Sequence, residues 1–477
     1  MKARRIIALT WLLIIGVQSA FGGAGTSVST NFSELRFHKV VLEDKCDDPM
    51  ELCIAPDGRV FFLERGGQLR IWKPDTKRTV LAARLEVFRN YNGSKTGGWE
   101  DGLLGMQLAP GFATNHWIYL YYSPQGVSEN RLSRFVLNGD TLDLSSEKIV
   151  LRVATQRDIC CHAAGSLAFD AQNNLYLSTG DNTNPFESDG YSPTDYRPNR
   201  YAFDAAKSAG NANDLRGKIL RIHPEPDGSY SIPQGNLFPP GTRKTRPEIY
   251  VMGCRNPFRI SVDPRNQTLY WGDVGPDARE PKPERGPAGF DEINRTTTGG
   301  NFGWPFLLAD NKPYRQYDFA AKMSGDAFDP KQPINSSPNN TGPRELPPAQ
   351  PAWIWYPYSP STRFPQLGSG GRTACAGPTY YFDPALKSER KLPAEYNHTL
   401  FIYEWMRNWI QAIKLDANGN IESIRPFAAH LKLRKPEDME LGPDGALYVV
   451  EFGTNWEKNK DSQIVRIEYG PPVAGPD

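Results

Sequence analysis

The sequence predicts an all-β protein, a six-bladed β-propeller with long loop insertions capping one face. One strand-turn-strand pattern recurs six times along the 477 residues. The chain holds 43 Gly, 41 Pro and 12% aromatic residues, which favours turns and pleated sheets, and segments with helical periodicity are scarce. Each unit has too little apolar surface to be stable alone, so the units are expected to stack as four-stranded blades around a central channel.

The six copies share one design, in which two apolar strands flank a polar turn. The clearest are residues 50–72, with a Pro-Asp-Gly turn, and residues 437–453, which read EDMELGPDGALYVVEFG. The remaining copies span residues 103–123, 165–182, 259–275 and 377–405. We expect residues 32–45 to add a strand that closes the ring against the last blade.

Two insertions interrupt the copies, at residues 183–215 and 277–351. Both are rich in Pro, Asn, Gly and Ser and show little periodicity. Long loops on a rigid body usually shape a binding site, so we expect them to cap one mouth of the channel. The propeller then forms a single domain over residues 32–470, with residues 471–477 as a tail.

Residues 1–25 have the pattern of a signal peptide: basic residues, an apolar run over 6–17, then small residues. The apolar run is shorter than a bilayer requires. We therefore expect a periplasmic or secreted protein with no membrane span after signal cleavage. The net charge is +1, which provides no field for gathering nucleic acid.

The chain has six cysteines, which are candidates for disulfides in an exported protein. Cys46 and Cys53 are near enough in sequence to pair. Cys160 and Cys161 either form a vicinal disulfide or pair elsewhere, and the sequence does not choose. Metal binding by cysteine is not indicated, because no Cys-x-x-Cys pair or matching histidine spacing is present.

His162 and Asp181 lie at the two ends of the third hairpin. The chain goes out along one strand and returns along the next, so the imidazole and the carboxylate should share one rim. Histidine exchanges protons near neutral pH, which makes His162 the candidate general base. The alternative is a capped surface histidine and a turn-forming aspartate.

Further polar residues near the repeat junctions are Glu100, Arg255, Asn256, Asp273, Asp291, Glu292, Asn294, Arg372, Glu404, Arg407 and Asn408. Equivalent blade ends point at the central axis, so these residues can converge. Arginines grip carboxylates bidentately, and a ring of them suits a flat polyacidic ligand. The alternative is salt bridging to acidic residues of the rim. The turn Gly275–Pro276 offers backbone carbonyls, a ligand type that Ca²⁺ accepts.

Several segments in fixed order carry a family resemblance. They are WEDGLLGMQLAPGFATNHWIYLYYS, HAAGSLAFDAQNNLYLSTGDN, GKILRIHP, EIYVMGCRNPFRISVDP, GDVGPD, DEIN and GGNFGWP, within residues 37–467. This series resembles the glucose/sorbosone dehydrogenase family, the soluble quinoprotein sugar dehydrogenases and aldose sugar dehydrogenases. The resemblance implies oxidation of an aldose or related alcohol by pyrroloquinoline quinone, a flat ortho-quinone with three carboxylates, and Ca²⁺ polarising its carbonyl.

The resemblance also implies roles for individual residues. His162 matches the histidine that takes the hydroxyl proton while hydride passes to the quinone, and Asp181 matches a position that orients this histidine. Glu100 stands where the family has a polar residue beside the substrate. The turn Gly275–Pro276 matches the one whose carbonyls bind calcium.

The cofactor-binding residues follow from the same resemblance. Arg255 and Asn256 match the Arg-Asn pair that binds the quinone. Arg407 matches a cofactor arginine of the fifth blade, although its surroundings, EWMRN, differ from the family pattern. Some members place a lysine on a cofactor carboxylate, and Arg372 is the substitute predicted here.

The leading hypothesis is thus an exported dehydrogenase acting on a sugar or polyol. The chain has no Cys-x-x-Cys-His haem signature, so its electron acceptor is expected to be a separate cytochrome or quinone. One alternative is a non-catalytic propeller that binds a protein or glycan. Another is a Ca²⁺-dependent lactonase, whose metal is held by carboxylates deep in the channel; arginines around the mouth would count against it.

Overall fold

The computed structural model describes residues 34–89, 100–456 and 458–470. The predicted signal peptide and the tail lie outside these residues. Within the described ranges, no helix combines the length and the apolar character needed to cross a membrane. A 3₁₀ helix, Glu34–Arg36, leads into the first strand, β1 (Phe37–Glu43).

The first two blades are regular four-stranded antiparallel sheets in sequence order. Blade 1 consists of β2 (Pro49–Ile54), β3 (Val60–Glu64), β4 (Gln68–Lys73) and β5 (Arg78–Arg84). Blade 2 consists of β6 (Leu103–Leu108), β7 (Trp117–Tyr122), β8 (Glu129–Asn138) and β9 (Thr141–Ala154), with the short helix α1 (Phe112–Asn115) between β6 and β7.

The third and fourth blades carry the additional segments. Blade 3 consists of β10 (Leu167–Phe169), β11 (Leu175–Thr179), β12 (Lys218–Pro224) with the short β13 (Tyr230–Ser231) beside it, and β14 (Ile249–Met252). Blade 4 begins with β15 (Pro257–Val262), β16 (Leu269–Asp273) and β17 (Asp291–Thr296). Five short strands follow: β18 (Gly300–Asn301), β19 (Leu307–Leu308), β20 (Lys312–Pro313), β21 (Arg315–Asp318) and β22 (Met323–Ala327). The outer strand of blade 4 is β23 (Ile354–Tyr356).

The last two blades complete the ring. Blade 5 consists of β24 (Ala374–Tyr380), β25 (Thr399–Glu404), β26 (Trp409–Leu415) and β27 (Ile421–Pro426), with 3₁₀ helices at Pro365–Leu367 and Ala394–Tyr396. Blade 6 consists of β28 (Pro436–Leu441), β29 (Leu447–Glu451) and β30 (Gln463–Tyr469), and β1 is its fourth strand. The predicted six-bladed propeller is confirmed.

The ring closes as the sequence predicts. Strand β1 pairs antiparallel with β30, in a register that sets Phe37 opposite Tyr469 and Val41 opposite Val465. Around the axis the inner strands β2, β6, β10, β15, β24 and β28 contact one another in turn. The start of each inner strand therefore points to the same mouth of the ring, which brings the repeat junctions together.

The second insertion is shorter than predicted. Strand β17 lies inside residues 277–351, yet it pairs with β16 on one side and β23 on the other as an integral part of blade 4. Its polar side chains Asp291, Glu292 and Asn294 are all buried, and this polarity makes the strand look like a loop in the sequence. The first insertion, 183–215, contains only the 3₁₀ helices Tyr201–Phe203 and Ala205–Lys207 within the described chain.

The two insertions pack against each other as a cap. Asn335 Nδ2 donates to the carbonyl oxygens of Ala206 and Gly210, both at 2.8 Å. Arg285 Nη2 donates to the Ser188 carbonyl at 3.0 Å. Because Asn335 is fully buried, these bonds are shielded from water and hold the two loops together as one layer.

The central axis is filled by a buried polar cluster. Arg259, from β15, donates from Nη2 to the Met50 carbonyl at 2.8 Å and from Nε to the Glu437 carbonyl at 3.0 Å. Glu51 accepts from Ser166 Oγ at 2.7 Å. Burial raises the pKa of Glu51 to about 8 and that of Glu437 to about 7. Arg259 therefore lies among the carboxyl groups of Glu51, Glu437 and Asp438.

Candidate active site

His162 and Asp181 form a buried pair at the mouth of blade 3. His162 Nδ1 lies 2.9 Å from Asp181 Oδ1, and Asp181 is fully buried. A Cβ atom at Gly180 would lie 2.3 Å from the His162 carbonyl oxygen, so only glycine allows the segments before β10 and after β11 to approach so closely. The structure thus brings together the two residues that the hairpin pattern predicts to share a rim.

The bonds of Asp181 determine which nitrogen of His162 is free. Asp181 Oδ1 also accepts from the Thr183 backbone N–H at 2.9 Å, and Oδ2 accepts from Trp304 Nε1 at 2.8 Å. An ionised carboxylate only accepts, so His162 Nδ1 carries the hydrogen and Nε2 is the basic nitrogen. None of the described residues hydrogen-bonds Nε2. This is the arrangement that a general base requires.

Trp304 is the site residue whose role the sequence does not reveal. The sequence suggests only that it stacks on a ring or fills the core; it is buried, at 3% exposure, but its indole N–H is a polar partner of Asp181. The residue lies in the segment GGNFGWP, which carries the family resemblance. The segment is the one feature of the sequence that draws attention to Trp304, but it does not indicate that Asp181 is the hydrogen-bond partner.

Glu100 lies close to the backbone that follows His162. Its Oε2 accepts from the Ala163 backbone N–H at 3.0 Å and lies 3.5 Å from Asn256 Nδ2. The other amide atom, Asn256 Oδ1, is buried and has no hydrogen-bond partner in the part of the chain that is described. An unpaired buried amide is costly, so this position is suited to a polar ligand atom.

Arg255 and Asn256 are held in place through their backbone. Asp273 accepts from the Arg255 N–H at 3.1 Å and from the Asn256 N–H at 2.8 Å. Burial raises the pKa of Asp273 to about 7. Arg255 Nη1 donates to the Val274 carbonyl at 2.9 Å, whereas Nη2 is 3.9 Å from Asp277 Oδ2. The Arg255 side chain therefore keeps donor capacity towards the mouth.

Arg372 forms a fully buried ion pair. Its Nη1 donates to Asp291 Oδ1 at 2.7 Å and its Nη2 to the Pro276 carbonyl at 2.7 Å. The same Asp291 oxygen accepts from the Gly275 N–H at 3.0 Å. Arg372 therefore forms a salt bridge with Asp291, which is the alternative that the sequence leaves open. Its Nε remains buried and unpartnered among the described residues.

Arg407 lies on the same rim but its donors are engaged. Nε donates to the Gly371 carbonyl at 2.8 Å, Nη1 to the Leu367 carbonyl at 2.7 Å and Nη2 to the Pro357 carbonyl at 2.8 Å. The guanidinium also lies over the Tyr356 ring, 4.7 Å from its centroid. Arg407 therefore ties loop segments together in this structure instead of facing a ligand.

Cys160 and Cys161 form a vicinal disulfide directly before His162. The other four cysteines are buried and free, so the pairing of Cys46 with Cys53 that the sequence allows does not occur. Cys53 is on strand β2, where its Sγ donates to the Met106 carbonyl at 3.3 Å. Sequence proximity had suggested the pair, but the strand directs the Cys53 thiol towards blade 2.

Comparison with known proteins identifies the family. A family model described as Glucose / Sorbosone dehydrogenase matches residues 46–338, which is more than half of the chain. The chain belongs to the glucose/sorbosone dehydrogenase family. The resemblance seen in the sequence is thereby confirmed.

Relatives in this family cover most of the chain. Quinoprotein glucose dehydrogenase B of Acinetobacter calcoaceticus is 24% identical over 458 residues, 90% of this chain and 88% of the relative. Aldose sugar dehydrogenase YliI of Escherichia coli K12 is 28% identical over 271 residues, 56% of this chain and 61% of the relative. The PQQ-bound structure of aldose sugar dehydrogenase from Streptomyces coelicolor superposes with a TM-score of 0.55 at 18% identity, covering 91% of this chain and 98% of that one.

The backbone carbonyl of Pro276, a predicted calcium ligand, is already engaged in this structure. The Pro276 carbonyl accepts from Arg372, so a cation at this oxygen would stand against a guanidinium of the same charge. No group of three or more His, Cys, Asp or Glu side chains in the described chain is arranged to hold a metal ion. The arrangement of Gly275 and Pro276 therefore does not fit the predicted calcium.

Proposed function

We propose that this member of the family is an exported dehydrogenase that oxidises an aldose sugar or related alcohol with pyrroloquinoline quinone. The observation that carries the proposal is the buried His162–Asp181 pair, in which no described residue hydrogen-bonds His162 Nε2 and the Asp181 backbone N–H donates to the Arg255 carbonyl at 2.8 Å. A base held by a carboxylate is what removal of a hydroxyl proton requires. Cofactor-dependent relatives support the choice of quinone.

The residues around the pair suit a carboxylated, flat cofactor. Arg255 retains donor capacity, and Asn256 Oδ1 and Arg372 Nε are buried atoms that lack partners among the described residues. We propose that Arg255, Asn256 and Arg372 hold the quinone, and that Arg407 supports the loops around it. When bound, the quinone supplies an acceptor for hydride.

The chain's own residues then move the proton. His162 Nε2 accepts the substrate hydroxyl proton, and Asp181 stabilises the imidazolium that results. Trp304 and the Thr183 N–H fix the Asp181 carboxylate so that the imidazole keeps one orientation. Glu100, at the same rim, accepts from another hydroxyl of the substrate. No step is assigned to calcium, because Arg372 holds the Pro276 carbonyl.

Calorimetric titration of the metal-stripped protein with pyrroloquinoline quinone, with and without Ca²⁺, tests the proposal. Dye reduction over a panel of aldoses and polyols then measures turnover. In place of the dye, we propose a separate cytochrome or quinone as the natural electron acceptor. We expect binding in both titrations, with less than about a threefold effect of Ca²⁺, because the Arg372 guanidinium already occupies the Pro276 carbonyl and repels a second cation there. Absence of binding in both titrations would refute the proposed function.

A non-catalytic propeller that binds a protein or glycan is the second candidate. One observation favours it: Nε, Nη1 and Nη2 of Arg407 all donate to backbone carbonyls of the protein itself. An arginine engaged in this way does not face a cofactor carboxylate. The free His162 Nε2 favours the enzyme, since a binding surface has no need of a carboxylate-oriented base. The lactonase alternative is disfavoured because Arg259 lies among the carboxylates of the channel.

A further inference from the structure

The disulfide between Cys160 and Cys161 is the cross-link directly before the candidate base. It joins two neighbouring residues, and the second of them is followed at once by His162. Cys161 is buried, at 6% exposure, whereas Cys160 is only half-buried. Exchange with a thiol requires access to one of the two sulfurs. Cys160 is therefore the residue that a thiol from solution can attack.

The chain on either side of the disulfide is anchored by hydrogen bonds. Before it, the Gln156 N–H donates to Asn182 Oδ1 at 2.6 Å, and Gln156 Oε1 accepts from the Ile159 N–H at 3.1 Å. After it, the His162 carbonyl accepts from the Asn182 N–H at 3.2 Å. Asn182 follows Asp181, so both anchors connect to the segment that carries the partner of the base.

Between these anchors the disulfide is the main constraint on the backbone. In the part of the chain that the structure describes, the N–H and C=O groups of Cys160 and Cys161 form no hydrogen bond. The disulfide closes a small ring through the peptide bond between the two residues, and a cross-link restricts the conformations open to the chain within it. Reduction opens the ring and frees the backbone directly before His162.

A cavity of about 380 Å³ lies against the segment that leads to the disulfide. It is lined by Gln156, Arg157 and Asp158 of that segment and by Tyr201 and Lys207 of the first insertion. Asp158 is two positions before Cys160, a span of at most about 7 Å along the chain. The cavity therefore gives a small thiol room to approach the half-buried end of the disulfide.

We infer that Cys160 and Cys161 form a thiol–disulfide exchange site, and that its state determines how tightly His162 is held. A thiolate of a small dithiol attacks the Cys160 sulfur, the bond between the cysteines breaks, and the Cys161 sulfur takes a proton. The second thiol of the reductant then attacks its own sulfur in the mixed disulfide and releases Cys160 as a thiol. In total, the dithiol is oxidised to its disulfide, and the protein pair is reduced to two thiols. The exchange stands by itself, whereas its effect on turnover rests on the proposed function.

Alkylation of the folded full chain tests the exchange site. The protein, without cofactor, is treated with dithiothreitol and then with iodoacetamide, and the labelled positions are mapped by mass spectrometry. We expect labels on Cys160 and Cys161 alone, because the other four cysteines are buried and burial raises the pKa of their thiols. Phenylarsine oxide, which bridges neighbouring thiols, should block both labels. Absence of label at this pair in the folded protein would overturn the site.

Hydrogen–deuterium exchange tests the coupling to His162. Reduction should quicken exchange over residues 159–163 by about tenfold, while β11 changes by less than about twofold. The double variant Cys160→Ala, Cys161→Ala should exchange at the reduced rate with or without dithiol. Cys46→Ala is the matched control, because it removes a buried free thiol and leaves the disulfide in place, so it should respond as the wild type does. Thermal unfolding verifies that each variant is folded.

Turnover then separates this inference from the proposed function. The dithiol is removed under anaerobic conditions before pyrroloquinoline quinone is added, because thiols react with quinones. We expect kcat to be about tenfold lower in the reduced chain and to recover on reoxidation, since a misplaced base transfers protons poorly. Equal hydrogen exchange or equal kcat in the two states would overturn the control of the base. Absence of turnover in both states, with labelling and hydrogen exchange as expected, would refute the proposed function and leave the exchange site standing.

Discussion

Trp304 and Asp181 are 123 positions apart in the chain, yet the Trp304 indole N–H donates to Asp181 Oδ2 at 2.8 Å. Through this bond the second insertion reaches the carboxylate that orients His162. A loop that varies freely would place such a donor poorly. In the proposed function, the segment that contains Trp304 therefore supports proton transfer as well as forming part of the cap.

The role of Trp304 predicts the behaviour of Trp304→Phe. Loss of the indole N–H removes one of the hydrogen bonds that fix the Asp181 carboxylate, so the imidazole is held less firmly in the orientation that proton transfer requires. We expect kcat to fall by about tenfold as the carboxylate loses one of its supports. Trp271→Phe is the control, because Trp271 is equally buried and its N–H has no partner among the described residues. An equal loss of kcat in both variants would contradict the role.

Replacement of the base gives a second prediction. His162→Gln keeps a polar side chain of similar reach but cannot accept the proton, so kcat should fall by roughly 10²- to 10⁴-fold. Affinity for the quinone, measured by calorimetry, should change by less than about threefold, because the proposed cofactor contacts belong to other residues. Full activity in this variant would remove His162 from the base role.

The polar axis predicts a dependence of stability on pH. Burial raises the pKa of Glu51 to about 8, above its unfolded value, so the native state binds this proton more tightly. The contribution of Glu51 to stability is therefore full below about pH 4.5 and is lost as the pH rises to about 8. The slope for one proton is about 1.4 kcal/mol per pH unit at most; the Arg259 charge lowers the pKa of Glu51 and the Asp438 charge raises it.

Glu51→Gln imitates the protonated side chain and tests this prediction. Urea unfolding between pH 5 and pH 8 should show the variant gaining on the wild type as the pH rises. Parallel stability curves for the two proteins would show that Glu51 does not titrate in this range. Lys73→Met, at the opposite end of its blade from the candidate active site, is a suitable control for the loss of a charged group.

Packing, independently of any metal, requires glycine at position 275. A Cβ atom there would lie 1.7 Å from the Phe290 carbonyl oxygen. Gly275→Ala should therefore lower the free energy of unfolding by about 1–3 kcal/mol or more, as overpacking does in cores. Gly66→Ala is the comparison, since the nearest atom there is the movable end of Arg89. Equal stability of the two variants would argue against this account.

The parts of the site that the sequence predicts are those that follow from the hairpin repeat. Alternation of apolar strands and polar turns brings His162 and Asp181 to one rim and sets Arg255, Arg372 and Arg407 near the axis. What these arginines bond to could not be predicted. The acceptors of Arg407 are carbonyls at positions 357, 367 and 371, in an irregular loop whose path follows no periodicity.

Strand β17 shows why part of the fold cannot be predicted from the sequence. The sequence predicts a loop over residues 277–351 because Asp291, Glu292 and Asn294 are polar, although blade 4 buries all three. Their polarity is explained by partners that only the folded ring assembles: Asp291 accepts from Arg372, and Asn294 donates to Glu292.

The pairing of β1 with β30 has a kinetic consequence. Blade 6 combines one strand from near residue 40 with three from after residue 435, so the ring cannot be completed until nearly the whole chain is available. Joining partners so distant costs loop entropy before any bond is formed, which makes closure the slow, late event in folding. A chain stalled before that event would expose the bare edge of β30, and its hazard would be edge-to-edge association with other copies.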